Sequence, residues 1–277
     1  MNRLLSSEWK DLERTLARRD PDRYVSAFFV PERNRRGFMA LCAFDNEVSG
    51  IARTISEPMM GQIRLAWWRE QIDAIYGGRH IHAPAAQALA EAVDKHHLPQ
   101  EKLDAYIDAR GCDFDEAPFA DEDAFNTYSD AAFGGIIALS FSILGVAQGC
   151  DAAAMAAGRA VARAVTLREF AHRRERRLCR VPVEWLQSAG LSANAMFAKD
   201  IQPMSMVPIF DRFKDAIRQD LVKLNSMGTP RKATPALAFA SCARWEARRK
   251  SDAWHPQPMP EWQRVVRIAL ANLARRF

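Results

Sequence analysis

The sequence predicts an all-α protein of a single domain spanning residues 1–277. Apolar residues recur at three- and four-residue steps along most of the chain, which is the spacing of one face of a helix. Runs that alternate apolar and polar residues are few, and with thirteen glycines and fourteen prolines they argue against a sheet. At 277 residues and 48% hydrophobic content the chain can bury a sizeable core, and no linker-like gap interrupts the helical pattern.

Residues Leu4 to Arg18 read as an amphipathic helix with Leu4, Leu5, Trp9, Leu12 and Leu16 on one side, broken by Asp20-Pro21-Asp22. Pro31-Glu32-Arg33 opens a long helix whose first turns carry Arg33, Arg35 and Arg36. Its apolar stripe then runs through Leu41, Phe44, Val48, Ile51 and Ile55. Ser56-Glu57-Pro58 joins it to a second helix, and Pro58 suits a first turn because it lacks an amide that would go unpaired there. Ile63, Trp67, Ile72 and Ile75 are expected to form that helix's apolar side.

Gly77-Gly78 and Pro84 mark a loop, and Ala85 to Lys95 is helical. His96 and His97 are adjacent, so their rings diverge, and a solvated helix end is expected rather than a shared metal site. Pro99 begins a helix over Gln100 to Asp115. Asp108, Cys112 and Asp115 are spaced to face one ligand there, but isolated helical carboxylates usually meet solvent or arginine.

Ala131 to Cys150 is uncharged over about the length that spans a bilayer. Its Gly134, Gly135, Ser140, Ser142, Gly145 and Gln148 fit a buried central helix better. A long helix over Ala152 to Arg173 follows, then helices over Pro208 to Leu224 and Pro235 to Arg249, and a proline-rich loop through Pro260. The last helix, Glu261 to Phe277, combines Val265, Ile268, Leu273 and Phe277 with Arg264, Arg267, Arg275 and Arg276. Such a terminus either closes a bundle or lies on anionic lipid.

The net charge of +5 and pI near 9.1 favour anionic partners. The run Arg173-Arg174-Glu175-Arg176-Arg177 is short and interrupted by an acid, which does not support nucleic-acid binding. Five widely spaced cysteines contain no Cys-x-x-Cys, so neither a disulfide framework nor a zinc site is indicated and a reducing compartment is expected. The N-terminal residues lack an apolar core of signal-peptide length. A cytoplasmic location, with contact at the inner face of a membrane, is therefore expected.

The stretch Ala40-Leu41-Cys42-Ala43-Phe44, followed by Ile63 to Glu70 (IRLAWWRE), resembles the squalene/phytoene synthase family. The resemblance implies the terpenoid (isoprenoid) synthase fold, a helical bundle around a central cavity. Family enzymes join two allylic diphosphates head to head, using magnesium held by acid pairs on two facing helices. Acids four residues apart lie one helical turn above one another and can reach the same metal ions.

In the register that the resemblance sets, Ser49 and Arg53 occupy the first acid pair. The second motif reads Val165 to Arg173, with Arg168 on its arginine, Glu169 on its first acid and Arg173 on its last. One acid of four remains. A guanidinium roughly 5 Å from a magnesium ion is repelled by upwards of about 6 kcal/mol at an effective dielectric near 20. Arg19-Asp20-Pro21-Asp22-Arg23 also replaces the family's phosphate-gripping Ser- and Phe-containing segment. Tyr128 with Phe133-Gly134 is similar to an element that lines the family's cavity, where Gly134 leaves room for a hydrocarbon tail or lets a helix approach.

The implied reading is a protein without metal-dependent catalysis, in which Arg53, Arg168, Arg173, Ser49, Asp45 and Gly134 hold a prenyl diphosphate or a phospholipid headgroup, since arginine forks bind phosphate oxygens in pairs. The structural alternative is that these arginines pair with Asp45, Glu47 and Glu169 and only join helices. A branch of the family with similarly degenerate motifs acts in assembly of respiratory complex I, which implies a protein partner in a membrane complex. The rival is an active transferase with Glu169 and Tyr128 as its functional groups and magnesium on Asp45, Glu47, Glu169 and Asp113.

Overall fold

The computed structural model describes residues 4–81, 83–146, 149–249, 254–255 and 257–277, and among these there is no strand. Met1 to Arg3 of the N-terminal segment and Gln148 of the uncharged stretch lie outside the described residues. Among the described residues fifteen α-helices follow in order: α1 (Ser6–Arg19), α2 (Pro21–Ala27), α3 (Glu32–Thr54), α4 (Pro58–Tyr76), α5 (Pro84–His96), α6 (Gln100–Gly111), α7 (Glu122–Ser129), α8 (Gly135–Leu144), α9 (Asp151–Glu175), α10 (Val183–Ser188), α11 (Ala193–Met196), α12 (Val207–Ser226), α13 (Thr234–Leu237), α14 (Ala243–Arg248) and α15 (Glu261–Ala274).

Asp20 does more than break the chain after α1. Its side chain accepts the Arg23 amide and so caps α2, whose first residue is Pro21. On α3 Leu41, Phe44, Val48 and Ile51 of the expected stripe are all buried, while Ile55 caps the helix and is half-buried. On α4 the expected stripe does not hold, because the inward face is Gly61, Leu65, Trp68, Ile72 and Ile75, while Ile63 is 55% exposed and Trp67 half-buried. Apolar residues nearly surround that helix, so periodicity left its register open. Gly61 is required there, since a Cβ would lie 2.1 Å from the Phe114 ring.

His97 ends α5 in the left-handed conformation and is exposed, as a solvated helix end requires. His96 differs: its Nε2 is buried without a partner, and a Cβ on Gly37 would lie 2.6 Å from it. The uncharged stretch belongs to a continuous helical run, Glu122–Leu144, of which 67% of the most apolar window is buried inside the bundle. A π-turn at Asp130–Gly134 interrupts it. There α9 crosses so closely that a Cβ on Gly158 would meet the Gly134 amide nitrogen at 2.4 Å. Arg159 fixes the crossing with a bidentate pair to Asp130 at 2.7 and 2.6 Å.

The expected helix over Pro235 to Arg249 is instead α13, a 3₁₀ segment at 238–242 and α14, with most of their residues buried. The last helix also differs. Ile268 and Phe277 are buried, but Val265 and Leu273 are exposed.

On the outer side of α9, Arg163 is 2% exposed and binds Asp220 of α12, Glu122 at 3.1 Å and Asn126 at 2.7 Å. Burial pushes the Asp220 carboxyl up to about 6, against the opposing effect of Arg163 and Arg159. Between its unfolded value and 6 the folded chain binds more protons than the unfolded one, so this contribution to stability falls as pH rises through that window. The loss is on the order of 2–3 kcal/mol, at about 1.4 kcal/mol per unit. Urea midpoints of the wild type and Asp220→Asn, each at pH 4.5 and 7, should differ by that pH-dependent component. Equal pH responses would refute the assignment.

Candidate functional site

α2, α3, the π-turn and α9, with Phe239, enclose a cavity of about 140 Å³. At roughly 10–15 Å³ per water it has room for on the order of ten. Asp45, Ser49, Arg53, Arg168, Glu169 and Arg173 all line it, so two sequence segments more than a hundred residues apart converge on one space. The apolar part of its lining is Phe133, Ile136, Ile137, Val161, Val165 and Phe239. Six arginines and four carboxylates line the polar remainder.

The floor is a buried chain of ion pairs. Asp45, 4% exposed, accepts hydrogen bonds from Arg23, from the Tyr106 hydroxyl and from Arg110 at 3.4 Å. Burial raises its pKa, but Arg23 and Arg110 outweigh that and hold it below the usual carboxylate range. Arg110 continues to the Ala132 carbonyl at 3.0 Å and to Asp113 at 3.4 Å. Asp113 also accepts from Tyr128 at 2.6 Å and Arg180 at 2.9 Å. Against burial, Arg180 and Arg110 keep it low as well. Burial and the neighbouring Asp113 raise the Tyr128 phenol to about 12.

At the mouth, Glu169 is taken by Arg173, whose Nη2 lies 2.8 Å away, and Arg53 stands at 4.0 Å. Burial works against the charge on Arg173, but Glu169 and Asp113 more than restore it and raise its pKa. Arg53 keeps 43% of its side chain exposed, Arg19 the same while reaching Glu47 at 3.7 Å, and Arg168 is exposed with no hydrogen-bond or ion-pair partner among the described residues. On the opposite wall burial raises Asp22, although Arg264 of α15 binds it.

The sequence-predicted residues thus separate into two groups. Ser49, Arg53, Arg168, Glu169, Arg173 and Asp45 meet at the cavity. Gly134 packs against α9 and Tyr128 faces Asp113, so neither is among the lining residues. Asp45 pairs with Arg23 and Arg110 rather than with the three arginines expected. Glu47 and Asp113 likewise sit on arginines, and Asp108 pairs with Arg69 on the surface. Among the described residues no three His, Cys, Asp or Glu side chains are placed to hold a metal ion. Sequence reading missed Arg23, Tyr106, Arg110 and Arg180, whose only signal is the excess of arginine near unexplained acids.

Three comparisons bear on this arrangement. The chain spans about half the length of the curated relatives it matches. NADH dehydrogenase (ubiquinone) complex I, assembly factor 6, of Bos taurus is 28% identical over 185 residues, which is 66% of this chain and 56% of that protein. The homolog of the same factor from Dictyostelium discoideum is 22% identical, over 66% of this chain and 52% of its own. In fold, a dehydrosqualene synthase in complex with ligand superposes with a TM-score of 0.82 at 13% identity, over 97% of this chain and 96% of that one. Squalene synthase HpnC from Alicyclobacillus acidocaldarius gives 0.71 at 17%, over 87% and 92%. The squalene/phytoene synthase family model matches residues 16–249, and with the bundle, the cavity and the two converging motif segments in place, the chain belongs to that family.

Proposed function

We propose that this chain is a non-catalytic member of its family that binds an anionic amphiphile without metal and works as a binding or assembly factor for respiratory complex I. One observation carries the reading: Glu169, the sole acid at the four family positions, is held by Arg173 and approached by Arg53. A magnesium ion there would displace an ion pair and face two guanidinium groups, so the residues present do not suit it. The same arginines suit phosphate oxygens.

The apolar part of the lining suits a hydrocarbon tail. Space for on the order of ten waters takes a headgroup and one short chain rather than two long ones, which also weighs against head-to-head coupling. The assembly role rests on the names of the relatives, and the cytoplasmic, membrane-facing location on the sequence.

Titration calorimetry with farnesyl diphosphate and with a short-chain phosphatidic acid tests the binding. At least one should bind equally well in EDTA and in magnesium, and Arg53→Ser/Arg168→Ser should weaken it by roughly tenfold or more, as loss of two charge-assisted contacts implies. Coupled product from farnesyl diphosphate and magnesium would overturn the reading, as would binding that requires the metal. For the assembly role, a strain lacking the chain should lose complex I and regain it on complementation.

A further inference from the structure

The last helix turns its apolar side outward. α15 buries Ile268 and Ala271 against the 238–242 segment and α2 and ties Arg264 to Asp22. Trp262, Val265, Val266, Leu270 and Leu273 remain between 46% and 74% exposed. Their three- and four-residue steps place them on one face, wider than the face the helix buries. Single exposed apolar residues are ordinary, but five on one side of a fourteen-residue helix are not.

The helix and its neighbouring segments are cationic. Arg248, Arg267 and Arg276 have no ion-pair partner among the described residues. Two of them lie near a fourth arginine: besides burial, Arg248 and Arg267 lower the pKa of Arg244. The helix itself carries one acid, Glu261, at its first position.

We propose that α15 docks on an anionic lipid surface, lying in the headgroup plane with Trp262, Val266, Leu270 and Leu273 inserted and Arg267 and Arg276 against phosphate. An apolar stripe with basic flanks and a terminal tryptophan has the composition of an interfacial helix. A second copy fits the face less well, because a two-fold contact would set these arginines against their own counterparts. Docking also has a structural consequence. α15 holds two walls of the cavity, Asp22 through Arg264 and Phe239 through the segment it packs on, so the cavity would open beside the membrane whatever it binds.

Co-sedimentation of the full chain with vesicles tests this. The chain should bind phosphatidylcholine vesicles containing phosphatidylglycerol and bind pure phosphatidylcholine more weakly. Trp262→Ser/Leu273→Ser should reduce partitioning by roughly tenfold or more, since each loses a buried apolar side chain. Arg267→Ser/Arg276→Ser should reduce it severalfold on the anionic vesicles alone. Met59→Ser/Met60→Ser, an exposed apolar pair on α4, should leave it unchanged. Failure of the wild type to bind anionic vesicles, equal binding by both α15 variants, or a soluble dimer that the same substitutions dissociate would each overturn the proposal. The substituted side chains are exposed or half-buried and none is in the core, so an unchanged melting temperature should accompany the loss.

Discussion

Replacing Asp45 with alanine should destabilise the chain by about 3–5 kcal/mol, the usual cost of leaving a buried charge uncompensated. The carboxylate is shared by Arg23 and Arg110, whose side chains are 14% and 5% exposed, and it also accepts the Tyr106 hydroxyl. Its removal takes one of two carboxylate partners from each of two largely buried guanidinium groups. Arg23 keeps Asp20 and Arg110 keeps Asp113, so the structure should survive at a lower urea midpoint. The double variant Asp45→Ala/Arg23→Ala should recover part of the loss, because it removes one of the two under-paired charges.

The pH dependence carries a definite sign. Asp45 and Asp113 have folded values below their unfolded ones, so their contribution is complete above the unfolded value of 3.8 and disappears as pH falls through the folded values. Wild-type stability should therefore drop steeply below pH 4, and the Asp45→Ala profile should be shallower there. A loss under about 1 kcal/mol at pH 7, the range of solvent-screened surface pairs, would show that the floor of the cavity is wet rather than buried.

That network marks the boundary of what the sequence could tell. Helix class and the α3 stripe were readable because periodicity averages over many residues, and the α3–α4 turn because Pro58 has a local preference. The convergence of Ser49 and Arg53 with Glu169 and Arg173 was readable because two motifs fix two registers. Which arginine meets which acid was not. Arg23, Arg110 and Arg180 come from three separate segments, and a long flexible side chain has no spacing rule across a fold. The same limit explains α4, where apolar residues nearly surround the helix, and α15, where only tertiary packing decides which side is covered. Gly134 was open between tail room and close packing until α9 placed Gly158 against it.

Putting acids back at the three altered positions, with Ser49→Asp, Arg53→Asp and Arg173→Asp together, should make the cavity bind magnesium. At roughly 5 Å and an effective dielectric near 20, each arginine removed takes away upwards of about 6 kcal/mol of repulsion and each aspartate adds attraction of similar size, before desolvation. Metal at a hundred times its dissociation constant stabilises by about 2.7 kcal/mol. For a chain of this size that corresponds to a rise in melting temperature of about 5–10 °C. Without metal the variant should melt below the wild type, since four carboxylates then face one another. The wild type should show no magnesium-dependent shift. A shift in the wild type would refute metal-free binding, and a folded triple variant indifferent to magnesium would show that backbone geometry, not charge, excludes the ion. Arg53→Asp alone should fall short, because Arg173 would still hold Glu169 at 2.8 Å and occupy the acid that a metal ion needs.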